Sequence, residues 1–443
     1  MEYPAYKKAQ KYLEALPAQV FATRREDPQL SLDRTRKMLK HFGSPEKNSK
    51  FIHITGTSGK GSLTMYLHNI LHRAGKKVGS YFSPHVITTT ERIMLNGKLT
   101  SVKDFLWAFK KIRPYLDHAK KFDKKFLPSH FESLFVMSLL IFQKHKLEWA
   151  VIEVGCGGEF DPTNVIPPPK IAIIANVGLD HQLLLGRTKI QIAKTKTGIL
   201  KTGNVFFTGE ANPKIRGILM DKARTSKIPA YFIPKIKTGF NLTNTVMSWQ
   251  LPGFGKVQQS MFGQHQQHNA TIAIAAARFL HLPKAAIKKG ILLTRMPARI
   301  EFIQKKPKII IDGAHNPDKI RAVVASLKAL GYNQVTAVIG IGERKNAKAI
   351  LKILKPIVKN WILTQTSLPY PKPMPVKIIA QNLKKLQPSA KPMIVSDCKK
   401  ALARALKHNS NYPILITGSL YLAGELRQKW YPEKLILNKQ SNF

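Results

Sequence analysis

Short apolar runs alternate with stretches of helical spacing along this chain. Residues 51–54 read as a strand and 63–72 as an amphipathic helix, followed by a strand at 78–82. Residues 131–145 read as a long buried helix, with strands at 149–154 and 171–177. A second alternating set starts near residue 295. It has strands at 309–311, 335–339, 361–363 and 414–417, and helices at 317–330, 347–358 and from Tyr421. Strands alternating with helices predict parallel sheets with crossover helices, an α/β fold. Between the two sets, residues 212–259 show weak periodicity and are rich in Thr, Pro, Gly and Lys. They read as loops and short β-structure, followed by a helix over 269–280 for which Asn269 would suit the N-cap. The pattern predicts two domains, 1–295 and 296–443, with the boundary just before Met296-Pro297.

A chain of 443 residues is long enough for two or three cores. No apolar run reaches membrane-spanning length, and the start, Met1-Glu2-Tyr3-Pro4, lacks a signal-peptide pattern, so a cytoplasmic location is expected. Cys156 and Cys398 are too few for a disulfide framework or a cysteine-rich metal site, and neither lies in an activating pattern. The net charge of +47 admits three readings: a nucleic-acid binder, lysines spread over solvated faces, or a field that steers anionic substrates. The positive residues form no dense arm and no interleaved aromatics accompany them, which argues against nucleic acid. No internal repeat or low-complexity tail is present.

The segment Gly56-Thr57-Ser58-Gly59-Lys60-Gly61-Ser62 lies between a strand and a helix, the context a phosphate-binding loop requires. Its glycines let backbone N–H groups turn toward phosphate oxygens, and the helix start adds partial positive charge. Lys60 is placed to reach the β- and γ-phosphates and Ser62 to touch Mg²⁺. Two features depart from the usual spacing: only Thr57 and Ser58 separate Gly56 from Gly59, and Gly61 divides Lys60 from Ser62. Glu153 ends a predicted parallel strand, where a carboxylate faces the ligand crevice, or else it bridges to a neighbouring loop. The Asp180-His181 pair suits a metal or a turn cap equally.

Further motifs follow in order: Ser83-Pro84-His85, Thr90-Glu91-Arg92-Ile93, Gly155-Cys156-Gly157-Gly158, Asp161-Pro162-Thr163-Asn164 and Leu179-Asp180-His181. Gly263-Gln264-His265-Gln266, Pro297-Ala298-Arg299-Ile300-Glu301, Asp312-Gly313-Ala314-His315-Asn316-Pro317 and Thr417-Gly418-Ser419-Leu420-Tyr421 complete the set. This series resembles folylpolyglutamate synthase, often bifunctional with dihydrofolate synthase, within the Mur ligase superfamily. The resemblance implies a P-loop ATPase N-terminal domain with a parallel-rich sheet, a smaller Rossmann-like C-terminal domain, and a cleft between them. It implies ATP-dependent amide formation between a pteroate or folate carboxylate and L-glutamate through an acyl phosphate. No protein nucleophile is needed for that chemistry, in keeping with the lack of any Ser-His-Asp or Cys-His signature.

By the same resemblance, Thr57, Ser58, Gly59, Lys60, Gly61, Ser62, Asn269, Arg299 and Asp312 contact ATP. Ser83, Glu153 and His181 hold Mg²⁺, of which two ions are implied, and Lys196 is carbamylated to serve the second. His315 and Ser419 lie near the incoming glutamate, with His315 assisting removal of the amine proton. Ser129 and Asp161 lie near the pterin. Apart from the resemblance, Lys196 reads as one more solvated lysine, Ser129 as a helix cap, and His315 as a structural hydrogen-bonding group. Small-molecule substrates and a monomer are implied, with no nucleic-acid or membrane partner. Several positions depart from the family's habit: Glu159 stands where Arg is usual, Thr195 where Glu is, Thr197 where Ala is, Ala298 where Gly is, and Asn346 where Asp is. They leave the acceptor open between dihydropteroate and tetrahydrofolate. The alternatives are another Mur-type amino-acid ligase, as in peptidoglycan precursor synthesis, and a nucleic-acid-binding P-loop ATPase.

Overall fold

The computed structural model describes residues 2–17, 27–236, 241–242, 246–368, 372–407 and 411–443. Its first sheet contains β1 (Lys50–Thr55), β2 (Val78–Tyr81), β3 (Ile93–Leu95), β4 (Lys98–Leu99), β5 (Trp149–Glu153), β6 (Ile171–Ile174), β7 (Val205–Thr208) and β8 (Ala230–Phe232). Their spatial order is β4-β3-β2-β5-β1-β6-β7-β8. The six strands from β2 to β8 in that order pair in parallel, and β3 and β4 add an antiparallel edge. β2, β5 and β6 are buried along their whole length, which is why each reads as an apolar run rather than an alternation.

A small antiparallel sheet follows, made of β9 (Asn241–Leu242), β10 (Met247–Leu251) and β11 (Gly255–Gln259). The third sheet contains β12 (Glu301–Gln304), β13 (Ile309–Ile311), β14 (Val335–Ile339), β15 (Val358–Gln365), β16 (Met393–Asp397) and β17 (Ile414–Thr417) in the order β12-β13-β17-β14-β15-β16. Only β12 runs antiparallel to its neighbour. The helix Gln264–Phe279 packs on the helix Pro317–Ala329, and one buried apolar cluster runs from Ile52 and Ile54 through Ile272 to Ile310 and Ile320. Among the described residues, no helix is long and apolar enough to cross a membrane.

Three expectations need correction. Residues 212–259 hold a helix, Pro213–Thr225, capped by Asn212, whose Oδ1 accepts the Ile215 N–H. Its buried stripe is only Ile215, Leu219 and Ala223, and Gly217 with the surrounding charges dilutes the periodicity. Residues 237–240 and 243–245 of that stretch lie outside the described residues. The helix expected over 347–358 stops at Leu354, because Pro356 cannot continue it, and Val358 already belongs to β15. The helix expected from Asn269 begins at Gln264, after Gly263 at φ 106°, so Asn269 is an interior residue and not an N-cap.

Candidate active site

The register of the first sheet places Glu153 beside Ile54 and Ile174 beside Thr55. The carboxyl ends of β1, β5 and β6 therefore finish level, and their loops share one crevice. Gly56 and Gly59 adopt φ 158° and 85°, and Gly59 opens the helix Lys60–Arg73. The second value lies where only glycine sits without steric cost. Asn176, beyond β6, holds this loop: its Oδ1 accepts the Ser58 N–H at 3.0 Å and its Nδ2 donates to the Ser58 carbonyl at 3.0 Å. Thr57 Oγ1 exchanges hydrogen bonds with Gly178. Lys60 Nζ donates to the Gly56 carbonyl at 3.0 Å, lying along the loop it would serve.

The helix Gln264–Phe279 closes one side. Gln266 Nε2 donates to Ser62 Oγ at 3.1 Å, and Asn269 Nδ2 donates to Gln266 Oε1 at 3.2 Å. A Cβ on Gly59 would meet Asn269 Oδ1 at 2.6 Å, so loop and amide are in contact. Asn269 therefore lies against the phosphate loop, and Gln266 is an additional anchor of it.

Glu153 is buried, and its Oε2 accepts the Ser83 N–H at 3.1 Å. Burial raises its pKa, opposed first by Lys60. A buried carboxylate at the head of a phosphate loop is an oxygen donor of the kind that suits Mg²⁺. Among the described residues no three His, Cys, Asp or Glu side chains gather closely enough to hold a metal by themselves. His181 adopts φ 48° and is exposed to solvent. The protein packed around it lowers its pKa, against Asp180, and the cations Lys60, Lys345 and Lys196 lower it further. A lowered pKa keeps imidazole neutral, the form that ligates metal.

Lys196 is not a solvated lysine. It is 2% exposed on the helix Lys189–Thr197, with Nζ 3.5 Å from Thr55 Oγ1. Burial, then Lys60, pulls its pKa down to about 7. A buried amine that sheds its proton near neutrality can take up CO₂ as a carbamate, which inverts its charge.

The third sheet brings its own groups to the crevice. Ile311 pairs with Ile416, so Asp312 and Ser419 follow adjacent strand ends. Asp312 accepts the Ile300 N–H at 2.9 Å on Oδ2 and the Ala314 N–H at 2.8 Å on Oδ1. It thereby shapes the loop bearing Arg299, with acceptor capacity to spare on both oxygens. Ala298 and Ile300 flank Arg299 at φ 54° and 47°, a strained pair for non-glycine residues, which accounts for a glycine habit at position 298. Glu301 stabilises the loop by accepting the Ala298 N–H at 2.9 Å, and the fully buried Arg427 grips Glu301 with Nε and Nη2.

His315 Nδ1 donates to the Gly313 carbonyl at 2.9 Å, which leaves Nε2 as the lone-pair nitrogen, and Lys319 Nζ stands 3.2 Å from it. Burial, then Lys319 and Lys345, pushes the imidazole pKa well below its ordinary value. The Nε2 lone pair faces the Lys319 Nζ, so His315 seats that amine. Lys319 went unnoticed in the sequence, where it reads as a first-turn surface lysine.

These groups, drawn from two sheets, frame one crevice. The Mur ligase, glutamate ligase domain family matches residues 298–420. The chain is 32% identical over 404 residues to the folylpolyglutamate synthase of Lacticaseibacillus casei, covering 88% of this chain and 92% of that protein. The chain belongs to the folylpolyglutamate synthase family. It is also 28% identical over 414 residues to a dihydrofolate synthase/folylpolyglutamate synthase of Bacillus subtilis, covering 90% of this chain and 94% of the relative. A folylpolyglutamate synthase crystal structure from Thermotoga maritima superposes with a TM-score of 0.83 at 30% identity, covering 98% of this chain and 99% of that one. The fold is the two-domain α/β architecture of Mur-type ligases.

The other motif residues that resemble the family's have structural partners here. Ser129 caps the helix His130–Lys144, its Oγ accepting the Glu132 N–H, as the capping reading expected. Asp161 Oδ2 accepts the Cys156 N–H at 2.9 Å, and Oδ1 accepts from the Thr163 N–H and hydroxyl. Both side chains are buried. Both shape the local backbone around them. Ser419 Oγ accepts the Tyr421 and Leu422 N–H groups and lines a small recess with Gly340, Gly342 and Thr366. The Thr90-Glu91-Arg92 motif also finds its use: Glu91 accepts the N–H groups of Val86, Ile87 and Thr88, and Arg92 Nε donates to His85 Nδ1. Together they fix the segment after Ser83.

Proposed function

We propose that this chain joins L-glutamate to the carboxylate of a pteroate or folate, using ATP and releasing ADP and phosphate. The observation that carries the reading is the convergence, around one phosphate loop, of Lys60, the buried Glu153 and the depressed-pKa Lys196 with the Arg299-Asp312-His315 edge of the third sheet. We take the two lobes as residues 1–295 and 296–443 of a cytoplasmic monomer working on small molecules.

A carboxylate is inert toward an amine, so the chemistry needs activation and then positioning. The acceptor carboxylate oxygen attacks the γ-phosphorus, the bond to ADP breaks, and an acyl phosphate results. The glutamate amine then attacks the acyl carbon, phosphate leaves with the bonding pair, and the proton lost from nitrogen passes to the departing phosphate. Lys60 and Arg299 would hold phosphate oxygens, Asn269 and Asp312 the remainder of the nucleotide, and Ser419 the glutamate side. Ser129 and Asp161 hold the loops of the pterin side. The barrier is lowered chiefly by orientation and fixed positive charge. Glu153, Ser83 and His181 are the groups that would hold Mg²⁺, with carbamylated Lys196 serving a second ion. The metal supplies charge neutralisation at the phosphates.

The deciding experiment is ADP release with glutamate and either dihydropteroate or tetrahydrofolate. Release that requires both glutamate and a folate or pteroate supports the reading. Release with neither acceptor, or stimulation by nucleic acid instead, sinks it.

A further inference from the structure

Lys319 occupies a position that is unfavourable unless an anion shares it. It lies in the first turn of the helix Pro317–Ala329, with its own N–H donated to the capping Asn316 Oδ1 at 2.9 Å. The positive end of a helix dipole opposes an ammonium there. Lys60 from the phosphate loop, Arg299 and Lys345 all act on it as like charges, and Asp180 is the acid that offsets them. Its Nζ stands 3.2 Å from His315 Nε2, and its charge is felt at Glu153 and Asp312. The neighbouring acids are already engaged: Asp180 faces Lys345 at 3.9 Å, Asp312 accepts two backbone N–H groups, and Glu153 accepts the Ser83 N–H. Burial, then Lys60 and Arg299, brings the Lys319 pKa down to about 7 in the absence of an anion.

The seat is built. Gly313 fixes the His315 tautomer through Nδ1, and the Nε2 lone pair aims at the Lys319 Nζ. A histidine spent on orienting an amine needs a reason, and a passing surface ion pair does not supply one.

We propose that Lys319 is a catalytic residue of this ligase: its ammonium binds the γ-phosphoryl group together with Lys60, with His315 as its positioning residue. The inference rests on the ligase reading given above. Lys319 transfers no proton. It donates hydrogen bonds to the non-bridging oxygens while the acceptor oxygen–phosphorus bond forms and the phosphorus–oxygen bond to ADP breaks with its electron pair leaving on ADP. The same contacts hold the phosphate when the amine later displaces it. The rival reading makes Lys319 a strut to Asp180 that only joins the lobes.

The test compares the binding of ADP with that of β,γ-methylene ATP, by calorimetry without acceptor, in wild type, Lys319→Met and Lys319→Gln. A charged hydrogen bond to the γ-group predicts triphosphate-analogue binding weakened by about tenfold to hundredfold, with ADP binding changed by less than about twofold. Lys319→Arg, which keeps the charge, retains most of the preference for the analogue. The kcat for ligation falls by about a hundredfold or more in the Met variant while the KM for glutamate stays near wild type. Equal weakening of both nucleotides, no change in either, or a loss confined to glutamate KM would each overturn the assignment. If wild type ligates glutamate to neither acceptor but the selective loss of the analogue appears, the ligase reading fails and Lys319 still contacts the γ-phosphoryl group.

Discussion

Asn176 clasps the backbone of Ser58 on both sides, accepting its N–H and donating to its carbonyl, each at 3.0 Å. The amide thereby holds the crest of the phosphate loop from the next strand. Asn176→Asp keeps the acceptor and replaces the donor with an oxygen facing a carbonyl. The loop should lose about 1–3 kcal/mol of ordering, which corresponds to ATP affinity weakened roughly fivefold to 150-fold. Nucleotide titration checks this, with circular dichroism to confirm the fold. Unchanged affinity would show that the loop holds its shape without the clasp.

The Arg299 loop has a more distant support. Arg427 is fully buried, its Nε lies 3.0 and 2.9 Å from the two Glu301 oxygens, and Glu301 Oε2 also accepts the Ala298 N–H. Arg427→Met strands a buried carboxylate and should cost about 3–5 kcal/mol. The double variant Arg427→Met/Glu301→Leu should regain most of that stability, since neither charge remains. It should not regain nucleotide affinity, because the Ala298 N–H has lost its acceptor beside Arg299. Denaturant unfolding and ATP titration of the same three proteins separate the two effects. Full recovery of both would confine the pair to stability.

What the sequence disclosed follows from burial and spacing. β2, β5 and β6 were legible because both faces are covered, and the phosphate loop because its glycines sit where the backbone needs them. The helix Pro213–Thr225 was not, since three small or aliphatic residues among charges give too thin a stripe. Lys196 stands out only through the family likeness, because nothing marks it as buried in a helix that also carries Lys189 and Lys194. Lys319 follows Asp318 in a helix start and looks solvated, although the fold folds it into the crevice. The Glu301–Arg427 pair joins residues 126 apart, and no local pattern announces it.

Gly61 is hemmed in by two groups of different stiffness. A Cβ there would lie 2.7 Å from Met296 Cε and 3.3 Å from Glu153 Oε2. The methionine end is flexible and can swing away, whereas the carboxylate is tied to Ser83. Gly61→Ala should lower activity by about tenfold, a cost in the range of ordinary overpacking. Adding Met296→Ala should return most of it. If steady-state assays show no relief in the double variant, the methyl group acts through Glu153 instead.

Lys196 sets stability against function in one side chain, and pH separates the two. Its amine ordinarily titrates at 10.5, and the fold lowers that to about 7. Between those values the unfolded chain binds more protons than the folded one, so this group makes stability rise with pH across that window. Its destabilising effect is complete below about pH 7 and fades toward pH 10. Lys196→Met removes the penalty, and unfolding at pH 7 should require about 4 kcal/mol more than in wild type. The gap between variant and wild type should shrink as pH rises, and taking that difference cancels the contribution of Lys319. Activity should move the opposite way. Wild-type turnover should fall as pH drops below about 7 and rise with added bicarbonate, because only the neutral amine forms a carbamate. The methionine variant should be inactive at every pH and indifferent to bicarbonate. A variant that is both less stable and still responsive to bicarbonate would place the reactive amine elsewhere.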